Sequence, residues 1–183
     1  MKNGKLDQIL EGFRQIVQKE TFDKISVVEI ARVANVHRKT VYYYFTDKYD
    51  ILRTVYTLGA LRHVDPANLT LDNFTTQLDR LLNELKDNLV LYQHTVTYDD
   101  GLWDDLSSRY FSEGLARLRK EQDTLAADPD IAHYESYLYA GALNKMIIEW
   151  LQADGDVPPE KLILAFQHVA GYPLFDKNGL PLY

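Results

Sequence analysis

Apolar residues recur at helical spacing along almost the whole chain, and no convincing stretch alternates with the period of two that a half-buried strand requires. Leu6, Ile9, Leu10, Phe13, Ile16 and Val17 fall on one helical face, with polar residues between them. The pattern returns in Ile51, Leu52, Val55 and Leu58. It is strongest over Leu71, Phe74, Leu78, Leu81, Leu82, Leu85 and Leu89, which reads as one long central helix. No Asn-Gly turn joins alternating segments, since Asn3-Gly4 and Asn178-Gly179 lie at the ends. The expected fold class is all-α, and 183 residues suffice for one sizeable domain or two small ones.

The breaks fall between the periodic segments. Asp65-Pro66-Ala67-Asn68 separates four N-terminal helical segments from the central one, for which Thr70 is a suitable N-cap. Asp99-Asp100-Gly101 precedes a helix expected over about 102–124, and Asp128-Pro129-Asp130 one over about 131–152. After Asp154-Gly155-Asp156-Val157-Pro158-Pro159 a proline-initiated helix runs to about Ala170. The tail 171–183, with two prolines and two glycines, is read as irregular.

Composition removes several function classes. With no cysteine there is no disulfide, thiolate nucleophile or cysteine-ligated metal. No apolar run reaches the roughly 18 residues of a membrane span, and the N-terminus lacks the apolar core of a signal peptide, so a cytoplasmic protein is expected. His37, His63, His94, His133 and His168 form no zinc-binding pair, and no serine sits in a Gly-x-Ser-x-Gly elbow. Asp99, Asp100, Asp104 and Asp105 read as helix capping and a solvated acidic face rather than a metal or acid–base site. The expectation is a protein that is not an enzyme and uses neither metal nor cofactor. The net charge of -7 is unevenly spread. Residues 1–56 carry ten Lys and Arg against seven Asp and Glu, whereas residues 57–183 carry ten against twenty. A basic first third on an acidic remainder provides a local field suited to phosphates.

Within that basic third, residues 25–52 are the most informative. Ser26 and Glu29 have capping-box spacing at the start of a short helix over about Val27–Val33, with Val28, Ile30 and Ala31 available for packing. Ala34-Asn35-Val36 forms a tight turn in which Asn35 can adopt the left-handed conformation. A second short helix follows, about His37–Tyr44, giving the outline of a helix-turn-helix. Arg38, Lys39 and Thr40 open it and Tyr42, Tyr43 and Tyr44 close it, all able to bond phosphate oxygens or base edges. Three successive helical residues span about 200° and cannot share one buried stripe, so Val41 and Phe45 are the expected inward pair. Asp47 caps the next helix and places Lys48 in its first turn, an arrangement suited to a phosphate.

Ile30-Ala31-Arg32-Val33-Ala34-Asn35-Val36, Thr40-Val41-Tyr42-Tyr43-Tyr44-Phe45 and Lys48-Tyr49-Asp50-Ile51-Leu52 together resemble the N-terminal DNA-binding domain of the TetR/AcrR family of transcriptional regulators. The resemblance covers about residues 5–55 and implies an N-terminal three-helix helix-turn-helix domain (1–55) followed by a helical effector and dimerisation bundle (56–183). It implies phosphate contacts by Thr40, Tyr42, Tyr44 and Lys48, and base reading by Arg38, Lys39 and Tyr43. Asn35 stands where the family commonly has glycine. His37 stands where it commonly has a serine or threonine cap; since histidine caps poorly, His37 is expected to contact DNA instead. The string from Tyr139 to Leu151 resembles a C-terminal region of the branch that includes an activator of dihydroxyacetone-kinase operons, which answers to a partner protein.

In the body, Tyr98, Trp103, Tyr110, Tyr134 and Tyr137 are candidates for an effector pocket, weighed against a plain core role. Leu138, Ala142, Met146, Trp150, Leu162 and Phe166 are candidates for an isologous dimer interface. The expected function is that of a homodimeric regulator, such as a repressor, that binds a palindromic operator in double-stranded DNA and is controlled by a small-molecule effector. The alternative is an interaction protein of the same fold controlled by a partner protein.

Overall fold

The computed structural model describes residues 4–122 and 127–171. Among these residues the chain is helical, with short 3-10 turns and no strand. The α-helices are α1 (Lys5–Val17), α2 (Val27–Val33), α3 (Arg38–Tyr44), α4 (Lys48–Leu58), α5 (Leu71–Asp87), α6 (Leu89–Val96), α7 (Leu102–Glu121), α8 (Pro129–Gln152) and α9 (Pro159–Gly171). The expected end of α7 at Thr124 and the tail beyond residue 171 lie outside the described residues.

The leucine-rich central run is two helices rather than one. Asn88 takes φ -119° and ψ 34°, outside the helical region, and divides α5 from α6. The apolar spacing passes over this break, so periodicity alone does not register it. α6 buries Leu91, Tyr92, Thr95 and Val96.

The helices form two compact units. The first holds α1 to α4, α6 and the opening residues of α7; the second holds α5, the remainder of α7, α8 and α9. In the first unit Ile9, Phe13, Phe22, Ile30, Ile51 and Leu52 are fully buried, with the Phe13 and Phe22 rings edge to face at 6.2 Å. Gly12 lets α1 approach α2 closely. The His94 ring bonds the Val17 carbonyl at the end of α1, with Nδ1 at 2.7 Å. In the second unit Leu81, Leu82 and Leu85 of α5 line the core, and the buried Ser107 hydroxyl donates to the Asn144 side-chain oxygen at 2.9 Å. No helix among the described residues is long and apolar enough to cross a membrane.

Candidate nucleic-acid interface

Local chemistry builds the segment from Ser26 to Leu58. The Ser26 hydroxyl accepts from the Glu29 amide at 3.3 Å, and the Glu29 carboxylate accepts from the Ser26 amide at 2.9 Å, closing the capping box. The Ser26 hydroxyl also donates to this carboxylate, and the two bonds hold its pKa below the ordinary glutamate value. α2 turns inward Ile30 and Ala31, whereas Val28 is exposed. Asn35 takes φ 51°, the left-handed conformation that a short polar side chain tolerates, and reverses the chain into α3.

His37 is the N-cap of α3. Its Nδ1 accepts from the Lys39 amide at 3.2 Å, so the imidazole performs the capping that its residue type was not expected to perform. The neutral ring has one acceptor nitrogen, and backbone at φ -72° and ψ 142° directs it at the helix start. His37→Ala is expected to cost about 1 kcal/mol of stability, read as a lower urea midpoint at pH 8. An unchanged midpoint would show that this bond contributes nothing.

Val41 and Phe45 are buried and anchor α3, which leaves its other sides to solvent. Tyr43 is 81% exposed; Tyr42 and Tyr44 are 44% and 41% exposed. Arg38 and Lys39 are exposed and Thr40 is half-buried. The Tyr43 and Tyr44 rings meet edge to face at 4.9 Å. The structure thus brings His37, Arg38, Lys39, Thr40, Tyr42, Tyr43 and Tyr44 together on one short helix and its cap.

Lys48 is placed differently. Asp47 caps α4 by accepting from the Asp50 amide at 2.9 Å. The Lys48 ammonium turns back to the preceding 3-10 turn, donating to the Phe22 and Asp23 carbonyls at 2.9 and 3.1 Å. It also lies 4.4 Å from the centre of the Phe22 ring. A half-buried lysine with two carbonyl partners ties α4 to that turn, a role its sequence position did not reveal.

The five aromatic residues considered for a pocket are divided between the two units. Trp103 is fully buried in the first unit, edge to face with Tyr56, and Tyr98 is 42% exposed in the same unit. In the second unit Tyr134 and Tyr137 are 70% and 56% exposed on α8. Tyr110 alone of the five lines a small apolar cavity, of about 20 Å³, with Phe74, Leu78, Phe111 and Leu143 among its walls. The six interface candidates also divide. Trp150 is buried and donates from its indole nitrogen to the Val157 carbonyl at 2.7 Å, and Phe166 is buried with its ring 6.1 Å from that of Phe74. These two side chains are used inside their own unit. Leu138 and Ala142 are exposed, and Met146 and Leu162 are half-buried.

Of the four aspartates read as a solvated face, Asp99 is buried. Its carboxylate accepts from the Tyr56 hydroxyl at 2.8 Å, the Trp103 amide at 2.9 Å and the Gly101 amide at 3.1 Å. Asp100 accepts from the Tyr49 hydroxyl. The capping part of the expectation stands for Asp99, and the solvation part does not. The signal was the non-local placement of Tyr49 and Tyr56, seven apart on α4, which no local pattern contains.

Comparison with known proteins places this geometry. Residues 9–55 match the family model described as "Bacterial regulatory proteins, tetR family". No curated protein matches the chain. Among solved structures, the dihydroxyacetone kinase operon activator DhaS is similar at a TM-score of 0.65 and 18% identity, over 90% of this chain and 93% of that one. The fatty acid degradation regulator FadR from Bacillus halodurans is similar at 0.60 and 20% identity, over 92% and 95%. A structure assigned to the tetR family of transcription regulators, from a Shewanella species, is similar at 0.57 and 16% identity, over 91% and 98%. Residues 9–55 therefore match the N-terminal domain of the tetR family, and the chain shares its helical fold with these regulators.

Proposed function

We propose that the protein is a homodimeric transcriptional regulator, not an enzyme, that binds a near-palindromic operator in the cytoplasm through α3. The observation that carries this reading is α3 itself. Two buried residues anchor it, while two cations and three tyrosines lie exposed beside one another along its other sides. A second copy would cover Leu138 and Ala142 of α8 together with Leu164 and Val169 of α9, which are exposed apolar or small residues. Effector control would act by favouring one of two head arrangements.

The cavity beside Tyr110 has room for about one water molecule. A small-molecule effector there requires the cavity to open. With so little room at Tyr110, and with the wider groove along Thr75, Asp79, Ile163 and Leu164 open to solvent, control by a partner protein is the second reading. Stable capture of one protein, with no small molecule altering DNA binding, would decide for it.

Selection of bound sequences from random duplex DNA at physiological salt tests the main reading. The wild type is expected to enrich a palindromic site, and Tyr43→Ala to blur particular base pairs within it. A wild-type protein that enriches nothing would overturn operator binding as proposed.

A further inference from the structure

The first turn of α3 contains an arrangement that the helix itself does not need. Arg38 and Lys39 occupy its positive end, and no acidic residue lies in that turn. Cations there oppose the helix dipole, so their placement works against the stability of α3. Among the described residues the Arg38 guanidinium has no carboxylate partner. It lies instead on Tyr42, one turn along: Nη2 donates to the phenol oxygen at 3.0 Å, and the guanidinium carbon is 5.1 Å from the ring centre.

This pairing favours one placement of a long, exposed side chain before any ligand arrives. Only one of the five N–H donors of the guanidinium is used, which leaves a fork edge free. Because the phenol oxygen accepts from Arg38, its own hydrogen remains available to a phosphate oxygen. Guanine presents O6 and N7 side by side in the major groove, the acceptor pair that a guanidinium fork fits. Neither neighbour offers the same geometry. Lys39 carries a point charge without a fork, and Tyr43 is a single hydroxyl on a ring set against Tyr44.

We infer that Arg38 reads a guanine in each operator half-site and that Tyr42 is its positioning residue. The inference rests on the operator-binding reading above and names the base that reading left open. Ordering Arg38 in advance reduces the entropy lost on binding, so Tyr42 acts on affinity for guanine through Arg38.

The test runs site selection with the wild type, Arg38→Ala, Tyr42→Ala, Tyr42→Phe and the double variant Arg38→Ala with Tyr42→Ala, all changes at exposed positions. It then measures affinity for the selected duplex with 7-deazaguanine at the assigned base. The wild type is expected to show one strongly preferred guanine per half-site, and Arg38→Ala to lose roughly 10- to 100-fold of discrimination at that position alone. Tyr42→Ala should weaken the same preference, and Tyr42→Phe, which keeps the ring, should fall between. Replacing N7 should weaken the wild type about tenfold and leave Arg38→Ala unchanged.

Two results would overturn the assignment. A uniform loss across sequences in Arg38→Ala, with a shallower salt dependence, would make Arg38 a phosphate contact. An equal effect of Tyr42→Ala in the presence and absence of Arg38 would remove the positioning role. Enrichment of no site by the wild type would instead overturn operator binding, and the inference with it.

Discussion

Asp99→Ala is expected to destabilise the protein by roughly 2–4 kcal/mol, the sum of a lost capping bond at the start of α7 and a buried hydroxyl deprived of its carboxylate partner. Asp99 precedes α7 and holds the Trp103 amide, one of the donors that a helix start leaves unpaired. The same carboxylate oxygen accepts from Tyr56, which is itself fully buried and packed on the rings of Tyr92 and Trp103. Alanine would leave the phenol, where water does not reach it, with the Thr95 hydroxyl as its remaining neighbour. Urea denaturation reads the loss, and a midpoint within experimental error of wild type would exclude the network as a stabilising element. Asp99→Asn retains a capping oxygen and an acceptor for Tyr56, so its cost should be much smaller.

The same residue carries a pH dependence. Burial raises the Asp99 pKa above its ordinary value of 3.8, against the pull of the Tyr56 hydroxyl and the backbone amides at the start of α7. The folded protein therefore holds this proton more firmly than the unfolded chain does. The contribution of Asp99 to stability is largest below pH 3.8 and falls as pH rises toward the raised value. Wild-type stability relative to Asp99→Asn should decline across that window. If it climbs instead, the carboxylate is better stabilised inside the protein than in water and this account of its burial fails.

Gly12→Val should be the second large effect, at about 3 kcal/mol or more. Any Cβ at Gly12 of α1 would come within 2.7 Å of both the Cβ and the backbone nitrogen of Ala34. Ala34 ends α2 and leads into the Asn35 turn, so backbone would have to move, and α3 with it. Glycine inside a helix costs about 1 kcal/mol relative to alanine, and close helix contact offsets that cost here. Gly141 of α8 is the internal control. No atom lies within 4 Å of its added Cβ, so Gly141→Ala should leave the fold intact and raise its stability by about 0.5–1 kcal/mol. Thermal melts of the two variants should move in opposite directions. Equal and small shifts would mean that α1 can back away from α2 without penalty.

What could be read from the sequence was local. The Ser26–Glu29 box, the Asn35 reversal, the Asp47 cap and the inward pair Val41 and Phe45 each depend on residues at most four apart. Their energetics are complete within one turn of helix, so residue type and spacing suffice. His37 shows the limit even there. Residue preference argued against capping, while the backbone angles at the turn aim its one acceptor nitrogen at the Lys39 amide.

Other assignments needed partners far along the chain. Asp99 looks like any acidic residue ahead of a helix until Tyr56, 43 positions earlier, is packed over it. Lys48 looks like a free cation until the Phe22 and Asp23 carbonyls, 26 and 25 positions away, take its ammonium. Trp150 and Phe166 look like interface residues until the Val157 carbonyl and the Phe74 ring receive them. Sequence by itself determined most of the helices, the Ser26 and Asp47 caps and the chemistry displayed on α3, because those depend on short-range backbone and side-chain geometry. Tertiary structure alone decided that Asp99 is buried and which body aromatics stay exposed, because desolvation is set by whatever distant segments close over a side chain.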